Sequence, residues 1–82
     1  MSKLFIGNID WNVTDQELQE LFAQYGEVTE AVIIKDRDTG RPKGFGFVTF
    51  AEAANADTAR TELDGYELGG RPLAVNEARP RD

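Results

Sequence analysis

What most restricts the fold of this chain is the order and spacing of its strand and helix patterns. Residues 3–9 (Lys-Leu-Phe-Ile-Gly-Asn-Ile) form a short apolar run halted at Asp10, a strand signal. Thr14-Asp15-Gln16-Glu17 has the makings of a capping box, with Thr14 placed to cap and Glu17 to reach back. Leu18, Leu21, Phe22 and Tyr25 then recur at helical spacing until Gly26 supplies a stop. Val28 to Lys35 is β-branched and apolar, a second strand. Residues 36–42 are rich in turn formers and read as a loop, and Gly44 to Phe50 reads as a third strand. Ala51 to Leu63 is a weaker helix with Ala56, Ala59 and Leu63 on one face, closed by Asp64-Gly65. After a Gly69-Gly70 turn, Leu73 to Asn76 alternates as a fourth strand. The order is βαββαβ, the split βαβ or ferredoxin-like arrangement: an α+β fold with a four-stranded antiparallel sheet and two helices on one face. The 82 residues make one small domain, with a core of about residues 3–79 and a charged tail at 80–82.

This topology leaves half of the sheet without a cover. Both crossovers should be right-handed, which places both helices on the same face. Strand side chains alternate between faces, so Leu4 and Ile6 take one face of the first strand, and Lys3, Phe5 and Gly7 the other. On the third strand Gly44, Gly46, Val48 and Phe50 oppose Lys43, Phe45, Phe47 and Thr49. On the fourth, Leu73 and Val75 oppose Ala74, Asn76 and Ala78. The aliphatic sets match the helix stripes and form the core. Phe5, Phe45 and Phe47 are left on the open face beside Lys3 and Lys43, a patch that implies a ligand. Aromatic faces next to fixed positive charge suit stacked bases and their phosphates.

Composition removes several classes of chemistry. The chain has no cysteine and no histidine, which excludes disulfides, thiolate nucleophiles, thiolate-bound zinc and the commonest neutral-pH acid–base group. No apolar run approaches the ~20 residues of a membrane helix. The opening Met-Ser-Lys-Leu-Phe-Ile runs straight into the first strand, so no separate leader is expected. Cytoplasmic placement follows, or nuclear placement in a eukaryote.

Lys43-Gly44-Phe45-Gly46-Phe47-Val48-Thr49-Phe50 fits every position of the octamer K/R-G-F/Y-G/A-F-V-x-F/Y, a match that ordinary residue frequencies produce about once in a million chains of this length. Leu4 to Ile9 resembles the companion hexamer on the first strand. On these residues the chain resembles the RNA recognition motif family from Lys3 to about Arg79, and Leu73 to Pro80 (LAVNEARP) resembles the fourth strand and exit of small stand-alone members, bacterial and plant glycine-rich ones among them. The resemblance implies that Phe5 and Phe47 stack successive bases, that Phe45 packs on a sugar or a further base, and that Lys43 pairs with a phosphate. Val32 and Ile34 would border the platform, with Ala31 and Ile33 turned to the core. Asn76 and Ala78 would meet base edges with the help of their backbone groups, and Arg79 would continue along the strand exit. The implied partner is single-stranded RNA, and single-stranded DNA fits the same stacking.

The chain also departs from the family pattern. Ala74 stands where many relatives carry a cation, Glu30 falls on the open face, and Arg60 occupies a helix position that is often aliphatic. The net charge is −6, from 15 acidic and nine basic residues, which taken alone argues against nucleic acid. Yet Asp15, Glu17, Glu20, Glu52, Asp57, Glu62 and Asp64 belong to the helices or their ends, whereas Lys3, Lys35, Arg37, Arg41, Lys43 and Arg79 belong to the sheet, its loop or its exit. These features together predict weak binding of broad sequence preference.

Other readings compete at particular residues. Arg41 divides evenly between phosphate contact and a solvated loop charge. Trp11 reads as a partly buried staple at the sheet edge, ahead of a base-stacking role. The carboxylates of Asp36, Asp38, Glu17 and Glu20 show no metal-cage spacing, and neither metal nor cofactor is expected. A peptide-binding protein-interaction module is the alternative function. Acylphosphatase-like catalysis on the same strand order wants an arginine after the first strand, and residues 7–14 contain none. The expectation is therefore a monomeric, non-enzymatic binding module.

Overall fold

The computed structural model describes residues 2–78, apart from the side chains of Pro42 and Lys43. Its elements are β1 (Ser2–Gly7), α1 (Asp15–Ala23), β2 (Val28–Lys35), β3 (Pro42–Phe50), α2 (Ala53–Leu63), β4 (Glu67–Leu68), β5 (Arg71–Pro72) and β6 (Ala74–Glu77). The main sheet has the order β2-β3-β1-β6, every pairing antiparallel, while β4 and β5 make a separate two-residue hairpin. This is the expected ferredoxin-like arrangement.

The capping box forms as the sequence implies. Thr14 Oγ1 accepts from the Glu17 N–H at 3.1 Å, and Glu17 Oε1 accepts from the Thr14 N–H at 3.3 Å. Leu18 and Phe22 are fully buried, and Leu21 and Tyr25 pack on the core from its margin. Ala56, Ala59 and Leu63 bring α2 onto the same core, where Phe22 and Phe50 meet at 6.3 Å between ring centroids. Leu4, Ile6, Val48 and Val75 supply the sheet's side of it.

The first helix ends at Ala23 rather than at Gly26, the third strand begins at Pro42 rather than Gly44, and four further boundaries differ from expectation for a local reason. The first strand stops at Gly7 because Asn8 adopts a left-handed φ of 57° and its side-chain amide donates to the Pro72 carbonyl at 2.7 Å. The second helix begins at Ala53, because Ala51 donates its N–H to Glu27 and closes the end of the sheet. The segment around Gly69-Gly70 is a hairpin rather than a bare turn. Leu73 lies outside the last strand, since its N–H donates to Tyr66 and its carbonyl accepts from Gly65. With the Val75 N–H donating to Asp64 Oδ1 at 3.1 Å, these bonds close the outer edge of β6.

Two irregularities in the β2–β3 pairing decide which side chains reach the open face. A register shift between Val28 and Glu30 lets Val28 pack on the core while Glu30 pairs with Thr49 on the opposite face. A second shift lies between Ile33 and Lys35. It coincides with Gly44, whose φ of 89° is a conformation that only glycine adopts readily. Next to it, a Cβ on Gly46 would run into the Val32 carbonyl oxygen, so this close backbone approach requires glycine.

Candidate nucleic-acid interface

Cross-strand register builds the site. Val32 pairs with Phe47, Phe47 with Phe5, and Phe5 with Asn76. These four residues form one row across β2, β3, β1 and β6 on the face that neither helix covers. Three inter-strand gaps make the row about 14 Å long. The neighbouring row is Glu30, Thr49 and Lys3, extended by Ala78 through its N–H to the Lys3 carbonyl at 2.9 Å.

The three phenylalanines form a single cluster. Phe5 and Phe45 stack at 5.7 Å with an interplanar angle of 28°. Phe47 meets Phe5 edge-on at 5.8 Å and Phe45 edge-on at 6.4 Å. Each ring is half-buried. Lys3 Nζ lies 4.5 Å from the Phe47 centroid, a cation–π contact that holds the ammonium over the platform. The arrangement offers flat apolar faces, one fixed cation, and the exposed amide of Asn76 at the end of the row. Such a surface can stack planar heterocycles and neutralise an attached phosphate.

The expected site residues fall into three groups. Lys3, Phe5, Val32, Phe47 and Asn76 are brought together in register, with Phe45 stacked on Phe5. Ile34, Arg41 and Ala78 are placed less directly. Ile34 sits at the register shift and is half-buried. Arg41 is exposed on the β2–β3 turn, where its N–H donates to Thr39 Oγ1 and its carbonyl accepts from the Asp36 N–H. The Ala78 N–H is taken by Lys3, so its expected role at base edges loses that donor. Lys43 and Arg79 form the third group. The Lys43 side chain and all of Arg79 lie outside the described residues.

Trp11 corrects the sequence reading. It is 61% exposed, so it is not a partly buried staple. Tyr66, 45% exposed beside β6, was not singled out by any periodic pattern. Arg60 points to solvent and only approaches Asp57, at 3.9 Å. The acids of α1 and α2 lie on the helical side, as expected. On the described part of the open face one cation, Lys3, stands against one anion, Glu30. Among the described residues no helix is long and apolar enough to cross a membrane.

Comparison with known proteins agrees with this geometry. Residues 4–74 match the family model for the RNA recognition motif. The chain is 50% identical over 80 residues to glycine-rich RNA-binding protein 4, mitochondrial, of Arabidopsis thaliana, covering 98% of this chain and 59% of that protein. It is 48% identical over 79 residues to the putative RNA-binding protein RbpD of Nostoc, covering 96% of this chain and 84% of that one. Among solved structures, RNA binding protein PG1 superposes with a TM-score of 0.94 at 41% identity, covering 100% of this chain and 99% of that one. The chain spans between about a quarter and three-fifths of the length of several glycine-rich relatives it matches. The relative from Arabidopsis thaliana is named as mitochondrial.

Proposed function

Since the chain belongs to the RNA recognition motif family, we propose that residues of about 3–79 form a non-catalytic module that binds single-stranded RNA on the open face of its sheet. The observation that carries this reading is the row Val32–Phe47–Phe5–Asn76, with Phe45 and Lys3 packed against it. A cluster of phenylalanines facing solvent does nothing for the core, which lies on the other side of the sheet. Phe5 and Phe47 stack two bases, Phe45 meets a sugar or a further base, and Asn76 hydrogen-bonds a base edge. Lys3, Arg41 and Lys43 neutralise two or three phosphates, and Arg79 follows the strand exit. Val32 and Ile34 border the stacked bases.

Few of these contacts read base identity, so sequence preference is broad and single-stranded DNA also binds. Stacking contributes about 1–3 kcal/mol per base, and affinity falls in the range of ~1 μM. Two or three neutralised phosphates give a slope of log K against log salt of about −1.5 to −2. Fluorescence anisotropy of a labelled random RNA octamer, repeated at several salt concentrations, tests this directly. A slope of −5 or steeper overturns the stacking account. Failure to bind RNA, with salt-insensitive capture of an apolar peptide, assigns the platform to a protein partner instead.

A further inference from the structure

Trp11 stands apart from the platform and from the core. The turn that carries it is held without the indole: Asp10 Oδ2 accepts from the Asn12 N–H at 3.1 Å, and the Asp10 carbonyl accepts from the Val13 N–H at 3.1 Å. The ring projects from this turn and lines a groove of about 420 Å³, together with Asn12, Gln16, Ile33, Lys35 and Gly40. Ile33 and Val13 in its wall are buried, so the indole is the large apolar surface this groove presents. Its remaining lining is amide, hydroxyl and charge. Asp15, the acid of the groove, accepts the Ile33 N–H at 3.0 Å and seals the edge of β2. Lys35, exposed at the end of β2, is the groove's cation.

The loop that carries the groove is tied to β3, the strand of Phe45 and Phe47. Ile9 donates its N–H to the Gly44 carbonyl at 2.8 Å, seating the loop against β3 one residue before Phe45. Trp11 follows two residues later, within about 7 Å of chain. An exposed aromatic face, an amide at Asn12 and a cation at Lys35 match a nucleobase with its phosphate better than they match an apolar peptide. We infer that this groove is a second stacking site, which takes a base of the same single strand on Trp11 with a phosphate against Lys35. The inference rests on the platform reading and extends the RNA path beyond the β2–β3 end of the sheet.

Trp11 is the chain's single tryptophan, so its emission reports on this groove alone. The test titrates strands of four and eight uridines, following binding by anisotropy of the labelled strand and, separately, tryptophan emission. The proteins are the parent chain, Trp11→Ala, Lys35→Gln and Phe47→Ala. Both lengths bind, and only the eight-uridine strand quenches Trp11. Trp11→Ala weakens the longer strand about tenfold and leaves the shorter one within twofold. Lys35→Gln makes the salt slope shallower by about 0.7 for the longer strand alone. If the longer strand binds in a Phe47-dependent way but emission is unchanged, or Trp11→Ala binds it within twofold of the parent, the inference is overturned and the groove is left to a protein ligand. If Phe47→Ala leaves both lengths unaffected, the platform reading falls first, and the inference with it.

Discussion

Phe50 and Phe47 are three residues apart on one strand, yet they should fail in opposite ways when truncated. Phe50 is fully buried and meets Phe22 at 6.3 Å. Replacing a buried phenylalanine by alanine costs about 3–5 kcal/mol. An 82-residue domain has on the order of 4–12 kcal/mol in total. Phe50→Ala therefore removes a large share of the stability and lowers the melting temperature by about 15–30 °C. Phe47 loses edge contacts to Phe5 and Phe45 and the cation–π contact with Lys3. Those contacts contribute roughly 1 kcal/mol, a drop of about 5 °C. The same Phe47→Ala change removes a stacking surface and weakens RNA binding by ~1–3 kcal/mol. Far-ultraviolet circular dichroism during heating, with anisotropy on the folded variants, separates the two effects. If Phe47→Ala unfolds the domain while Phe50→Ala melts near the parent, the two faces of the sheet have been assigned the wrong way round.

Two further substitutions probe the geometry around the platform. Gly46→Ala places a methyl group against the Val32 carbonyl oxygen, a backbone atom that cannot yield without spreading β2 from β3. It should cost about 1–3 kcal/mol, read as a lower urea midpoint, and an unchanged midpoint would show that β2 and β3 are not so closely apposed. Ala74, paired with Gly7 on the platform side of β6, occupies a position where a cation is missing. Ala74→Lys should tighten RNA binding and steepen the salt slope by about 0.7; an unaltered slope would place residue 74 away from the bound strand.

The parts of this molecule that were legible in the sequence are those governed by local rules. The Thr14–Glu17 capping box is a short-range pattern and forms as written. The octamer alternates strictly from Phe45 to Phe50, so its face assignment follows from period two alone. The less legible parts depend on neighbours remote in sequence. The register shift near Thr29 turns Val28 inward and Glu30 outward, and it arises from how β2 lies against β3 rather than from either strand alone. Gly44 looked like an ordinary core-facing strand position, but its left-handed φ serves the Ile9 hydrogen bond from another segment. The β4–β5 hairpin has strands of two residues, too short for any periodicity to register. Its place just past a strand makes Trp11 read as a staple at the sheet edge. Here Asp10 holds the turn by itself, and the indole is left in solvent.

Base stacking on the open face of the sheet is tested most directly by backbone amide NMR, adding a random single-stranded RNA octamer to the labelled domain at low salt. The largest shifts should fall on Lys3, Phe5, Phe45, Phe47 and Asn76, with little change at Ala56 and Ala59 on the helical side and none of this pattern with a duplex. Silence at millimolar RNA, or shifts concentrated on the helices, would contradict the account and leave the three phenylalanines to a protein partner.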